Sequence, residues 1–112
     1  MSLSIEAESV LAVLKHADQM RSTFTRDQLV RRTHCSDRTV RAAIQELRAD
    51  GHPVWRDPTR AGYRLARSWD EVEALADRFE HTGRTHLLTA SRLRKRYAQH
   101  APPDRPAQES LL

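Results

Sequence analysis

With 112 residues, 38% hydrophobic and 30% charged, the chain can bury one modest core but not two ordinary domains. It holds no apolar run of membrane-spanning length, and its start lacks the charged-then-apolar pattern of a secretion signal. The net charge is +4, and Cys35, standing alone, excludes an internal disulfide, so a cytoplasmic setting is expected.

The charge comes in blocks. Residues 21–66 and 84–101 are net basic, whereas residues 1–20 and 67–83 are net acidic. Among the 19 cationic side chains only Lys15 and Lys95 are lysines. Arginine suits forked contacts to phosphate and guanine. A genome rich in arginine codons would raise the arginine count just as well, but it would not sort the charge into blocks.

Leu3, Ala7, Val10, Leu11, Leu14 and Ala17 recur at helical spacing and predict a first helix over Ser4 to Asp18. Glu6 and Glu8 fall in its first turn, where the helix dipole favours anions. Thr25 caps a short second helix. Gln28, three residues on, completes a capping box, and Phe24 with Leu29 forms a hydrophobic staple. Thr33, His34 and Cys35 make a tight connection to Ser36, the next cap. From there SDRTVRAAIQEL places Val40, Ala43, Ile44 and Leu47 on one side of a third helix. Gly51 stops it, with Pro53 just beyond.

Val54 to Arg56 and Tyr63 to Ala66 read as two short strands around a turn-rich tip, Asp57 to Gly62. Ser68 with Glu71 opens a fourth helix striped by Trp69, Val72, Leu75, Ala76 and Phe79 and ending near Gly83. Leu87, Ala90, Leu93 and Tyr97 predict a fifth helix to about Gln99. The prolines and sparse apolar residues from Ala101 onward predict a disordered tail.

Two short helices joined by a tight turn, the second opening on Ser, make the helix-turn-helix geometry. Around the third helix the side opposite Val40 and Leu47 carries Arg38, Ala42, Gln45 and Ala49, with Thr39 and Arg41 on the flanks. Such a face suits the DNA major groove. Arg38 and Arg41 can fork onto guanine, Gln45 can pair with adenine, and Ala42 permits close approach and can touch a thymine methyl. Thr39 and the free N–H groups at the helix start can hold a phosphate. Asp37 is open between accepting from cytosine and serving the dipole. The bland alternative is a solvated polar face on a bundle helix. In the hairpin, Arg56, Arg60 and Arg64 alternate around a tip with Thr59 and Gly62, fit for backbone or minor-groove contact. A hairpin that only covers the core with Trp55 and Tyr63 is the competing reading. Both hold together if the aromatics pack inward while the arginines reach out.

These features resemble the winged helix-turn-helix domain at the N-terminus of biotin repressors and similar bacterial regulators. The resemblance runs from Phe24 to Ala66 and rests on the SDRTVRAAIQEL helix, the following DGHPV and a glycine-containing wing returning as AGYRLA. It implies DNA-facing roles for Ser36, Arg38, Thr39, Arg41 and Ala42, and a backbone contact for Arg60 in the wing tip. The turn departs from the family, which usually has a glycine near the position of Cys35. No ligase or ligand-binding domain follows within the 112 residues, so the closer likeness is to small stand-alone regulators, including those of phages and mobile elements.

The expected fold is therefore mainly α (α+β): a winged helix-turn-helix domain over residues 1–66 with a two-stranded wing, two additional C-terminal helices over 67–100, and the tail over 101–112. Those two helices close the core of one chain or pair with a partner chain, and homodimerisation is the expectation carried forward. Arg84, Arg92, Arg94, Lys95 and Arg96 form the second basic block, for phosphate contacts or a solvated face. The expected partner is double-stranded DNA, with no membrane and no small-molecule substrate.

Catalytic, metal and cofactor sites are not expected. The six histidines lack CxxC or HxxxH partners, three glycines cannot build a phosphate loop, and Cys35 sits where Val40 would bury it. Three functions remain: a sequence-specific transcriptional regulator (a repressor or control protein), a phage or mobile-element replication or excision accessory protein, and a winged-helix protein–protein adaptor.

Overall fold

The computed structural model describes residues 2–100; the expected disordered tail, 101–112, lies outside the described residues. The elements run α1 (Ile5–Gln19), α2 (Arg26–Thr33), α3 (Asp37–Ala49), β1 (Val54–Arg56), β2 (Tyr63–Leu65) and α4 (Trp69–His100). One compact unit extends to Leu75 and a second begins at Ala76.

Each of the first three helices starts on a hydroxyl cap. Ser4 accepts from the Ala7 N–H, Thr25 from Gln28 and Ser36 from Thr39, each at 3.1 Å. The capping box at Thr25 is complete, because the Gln28 side chain accepts the Thr25 N–H at 2.8 Å. Gly51 ends α3 with φ +98, and His52 N–H reaches back to the Leu47 carbonyl, the Schellman pattern. α1 ends the same way, with Arg21 in the left-handed position at φ 51.

The apolar stripes of α1, α2 and α3 meet. Val10, Leu14, Leu29, Val40, Leu47 and Val54 are fully buried. Each such side chain contributes about 1.5–3 kcal/mol on leaving water. Phe24 joins this core as the staple residue, and its backbone also pairs with Tyr63: Phe24 N–H donates to the Tyr63 carbonyl at 3.0 Å and Tyr63 N–H returns at 2.7 Å. This single-residue bridge ties the wing to the chain before α2. Gly62 is required there. A Cβ on it would lie 3.0–3.1 Å from Thr23 and the Phe24 backbone. Far along the sequence, Glu46 of α3 accepts from both the backbone N–H and the hydroxyl of Ser4, each at 2.7 Å, and so docks the start of α1 on α3. Those two donors hold the Glu46 carboxyl below its usual range.

Two expectations for the C-terminal region need correcting. The fourth and fifth helices are one continuous helix, α4, running through Gly83. Gly83 is not in the left-handed region, no proline interrupts the stretch, and a lone glycine costs a helix only about 1 kcal/mol relative to alanine. The Thr85 and Thr89 hydroxyls donate back to the carbonyls of His81 and Thr85, which occupies them within the helix. At its start only half of the Ser68 capping box forms. Ser68 accepts the Glu71 N–H at 3.2 Å, but the Glu71 carboxylate takes the N–H of Arg67 and the guanidinium of Arg64.

Candidate nucleic-acid interface

The burial of Val40, Ala43, Ile44 and Leu47 fixes which way α3 faces. Arg38, Arg41, Ala42 and Gln45 are exposed on its other side, and Thr39 is half-buried. Arg38 has no ion pair among the described residues. Ser36 donates to the Thr39 hydroxyl at 2.9 Å, so the hydroxyl predicted to hold a phosphate is bonded to the cap residue that the resemblance makes DNA-facing. Beside this face opens a pocket of about 220 Å3 lined by Ser4, Glu6, Arg38, Thr39, Ala42 and Glu46. Its two carboxylates make it a poor seat for phosphate.

Asp37 does something that neither sequence option foresaw. Its carboxylate is shared between Arg26 of α2, at 2.5 Å, and Arg41 one turn further along α3, at 3.2 Å. It ties α2 to α3 and draws Arg41 toward the helix start. It also raises the Arg26 pKa above its already high value. Arg41 is thus a shared residue: any contact with a base must compete with Asp37. Arg32, whose role was only to end α2, lies over the Phe24 ring at 4.4 Å, a cation–π contact on the staple.

The turn between α2 and α3 lacks a glycine at Cys35 and does not need one there. The left-handed residue is His34, with φ 59. Histidine is among the non-glycine residues that tolerate this region best. Cys35 turns inward and is partly buried against the core.

The wing sorts the three predicted arginines. Arg56 and Arg60 are exposed and, among the described residues, make no ion pair. Arg64 is a correction. Its side chain is only 9% exposed and meets Glu71 with two parallel bonds, at 2.8 and 2.7 Å, while its Nε approaches Asp57 at 3.4 Å. The reason lies in the register. Trp55 stands opposite Arg64, and Arg56 opposite Tyr63. Residues directly opposite share a face of the sheet, so the aromatics cannot both turn in while all the arginines turn out. Burying Trp55 carries Arg64 in with it, and Glu71 then compensates the charge.

Asp57 shapes the tip. One of its oxygens accepts from Thr59 N–H at 2.9 Å, the Thr59 hydroxyl at 2.8 Å and Arg60 N–H at 3.1 Å. These donors hold its carboxyl far below the ordinary range. The Thr59 hydroxyl therefore spends its proton inside the loop, and Arg60 is the cation presented at the tip. Asp57 was part of the predicted turn without a role of its own; the DPT run around it carried that signal.

A three-helix unit with a helix-turn-helix at its centre and a two-stranded wing is now in place. A family model described as HTH domain matches residues 8–64, half of the chain. This chain belongs to that helix-turn-helix family. The match spans α2, the turn and α3 and runs to Arg64 of the wing, so it takes in every predicted contact residue from Ser36 to Arg64, and the family is of a DNA-binding kind. No curated protein and no solved structure matches the chain significantly. Among the described residues, no helix of the HTH protein is long and apolar enough to cross a membrane.

Proposed function

We propose that this HTH protein is a sequence-specific double-stranded DNA-binding transcriptional regulator, a repressor or control protein, working as a homodimer. One observation carries the reading. Arg38, Ala42 and Gln45 stand exposed in a row on α3 while Val40, Ile44 and Leu47 of the same helix are buried. Arg38 and Gln45 supply forked contacts to guanine and adenine, and Ala42 leaves room for the base edges. Arg41 adds a further contact when it leaves Asp37. Ser36, Thr39 and the N–H groups at the start of α3 lie against a phosphate. Arg56 and Arg60 of the wing, with Thr59 beside them, follow the backbone. Arg64 serves the wing from inside.

Selection of bound fragments from a random duplex pool, with the mass of the complex measured, tests this. The expected result is a defined consensus with two-fold symmetry and half-sites about one helical turn apart. Affinity should fall steeply with salt, with a log–log slope of about 0.9 per phosphate contact. Arg38→Ala should cost about 1–3 kcal/mol on the selected site and relax the base preference. Binding without a consensus but with bent DNA would favour the replication or excision accessory role. No duplex binding at all would favour a protein–protein adaptor and overturn the proposal.

A further inference from the structure

The second compact unit begins at Ala76, in the middle of α4. Along it Leu87, Leu93 and Tyr97 are 73%, 66% and 54% exposed. At about 100° per residue these three, with Ala76, Phe79, Gly83 and Ala90, fall within one stripe about 120° wide. A stripe of this kind is the seam along which helices pair.

We propose that this stripe of α4 packs against the same stripe of a second copy of the chain, with the two helices antiparallel. The proposal deepens the homodimer reading above by naming the surface and the direction. Charge sets the direction. The first half of α4 carries Asp70, Glu71, Glu73, Asp77 and Glu80 against the single cation Arg78. From Arg84 onward come Arg84, Arg92, Arg94, Lys95 and Arg96, with no carboxylate up to His100. A parallel pair sets acid beside acid and base beside base along its whole length. An antiparallel pair lays each acidic half along the basic half of the other copy.

Gly83 supports a helix crossing in the middle. A Cβ placed on it meets nothing within 4 Å, so nothing among the described residues calls for the missing side chain, although glycine weakens a helix. A second helix approaching closely does call for it. With the two-fold axis between His86 and Leu87, Gly83 faces Ala90 of the partner subunit and Ala76 faces Tyr97 of the partner subunit.

Sedimentation of the full chain and cysteine cross-linking test the surface and the direction separately. The full chain should sediment at twice its mass. Leu87→Glu with Leu93→Glu should halve that mass while leaving the unfolding midpoint of the first unit unchanged, which shows that the variant still folds. In a Cys35→Ser background, His86→Cys should cross-link to itself under mild oxidation. Ala76→Cys should not cross-link to itself, but should do so with Tyr97→Cys when the two are mixed. Self-cross-linking of Ala76→Cys means a parallel pair and overturns the proposal. So does a monomeric mass at the highest soluble concentration, or a dimer indifferent to the two Leu→Glu changes. Duplex binding is read apart from all of this: Arg38→Ala should weaken it without altering the mass. A chain that binds duplex as a monomer would sink this inference and spare the DNA-binding reading. A cross-linked antiparallel dimer indifferent to duplex would do the reverse.

Discussion

The stretch up to Leu75 and the stretch from Ala76 are written in the same style, amphipathic helices rich in arginine, yet they use those residues in opposite ways. In the first, the apolar stripes of the first three helices find cover within the chain: Ala7, Val10, Leu11, Leu14 and Ala17 of α1 are buried along with the inner faces of α2 and α3. The arginines there are divided. Arg26, Arg31, Arg64 and Arg67 are held by carboxylates, while Arg38, Arg56 and Arg60 are exposed and make no ion pair among the described residues. In the second, Leu87, Leu88, Leu93 and Tyr97 all remain exposed. Periodicity thus tells which side of a helix wants to be covered. It does not tell whether the cover comes from the same molecule.

The sharpest way to break that contrast is to truncate one leucine in each stretch. Leu47 is fully buried on the inner face of α3, so Leu47→Ala should cost about 3–4 kcal/mol of transfer and cavity energy. Leu93→Ala, at a position 66% exposed, should stay within about 0.5 kcal/mol at protein concentrations low enough to disfavour association. Denaturant unfolding followed by the fluorescence of buried Trp55 measures both. Equal costs would mean that the two stretches are not different in kind.

Within the first stretch, the division among the arginines is the next thing to test. Arg64→Ala leaves Glu71 without its forked partner in a mostly buried site and should cost about 2–3 kcal/mol. Arg60→Ala, at the exposed tip, should change stability by less than about 0.5 kcal/mol and weaken duplex binding on all sequences alike. The same pair has a pH signature. The Arg64 guanidinium, helped by Arg67 N–H, lowers the Glu71 pKa from 4.5 to about 2. A carboxylate held ionised in the folded state stabilises it fully above its unfolded value, and that contribution drains away as pH falls through the folded value. Stability should therefore decline between pH 4.5 and about 2, and Glu71→Gln should flatten part of that decline. Thermal unfolding at several pH values would show a slope that survives Glu71→Gln intact if the Arg64 pair does not carry it.

What could be read from the amino acids alone follows the range of the interactions involved. The caps at Thr25 and Ser36, the capping box at Thr25 and Gln28, the stop at Gly51 and the buried side of α3 involve residues a turn or two apart, and these were legible. The exposed row of Arg38, Ala42 and Gln45 followed from the same periodicity. Arg64 was misread because its place depends on register, and register depends on how Asp57 to Gly62 turn and on Phe24 pairing with Tyr63. The Ser4–Glu46 dock joins residues 42 positions apart, and no local pattern announces it. The single α4 was missed because Gly83 was given the weight of a stop without a left-handed backbone or a proline to support it.

The smallest effect concerns the turn that aims α3. The family resemblance put a glycine near Cys35, whereas the positive φ belongs to His34. The two placements predict opposite outcomes. His34→Gly relieves a left-handed strain that a side chain pays, and should raise stability by about 0.5–1 kcal/mol despite the looser unfolded chain. Cys35→Gly removes a thiol packed on the core at a residue with ordinary φ, and should lower stability by a similar amount. Duplex affinity should follow neither change closely, because Ser36 still caps α3 and the exposed face is untouched. If Cys35→Gly stabilises and His34→Gly does not, the left-handed residue has been placed one position too early, and the start of α3 shifts with it.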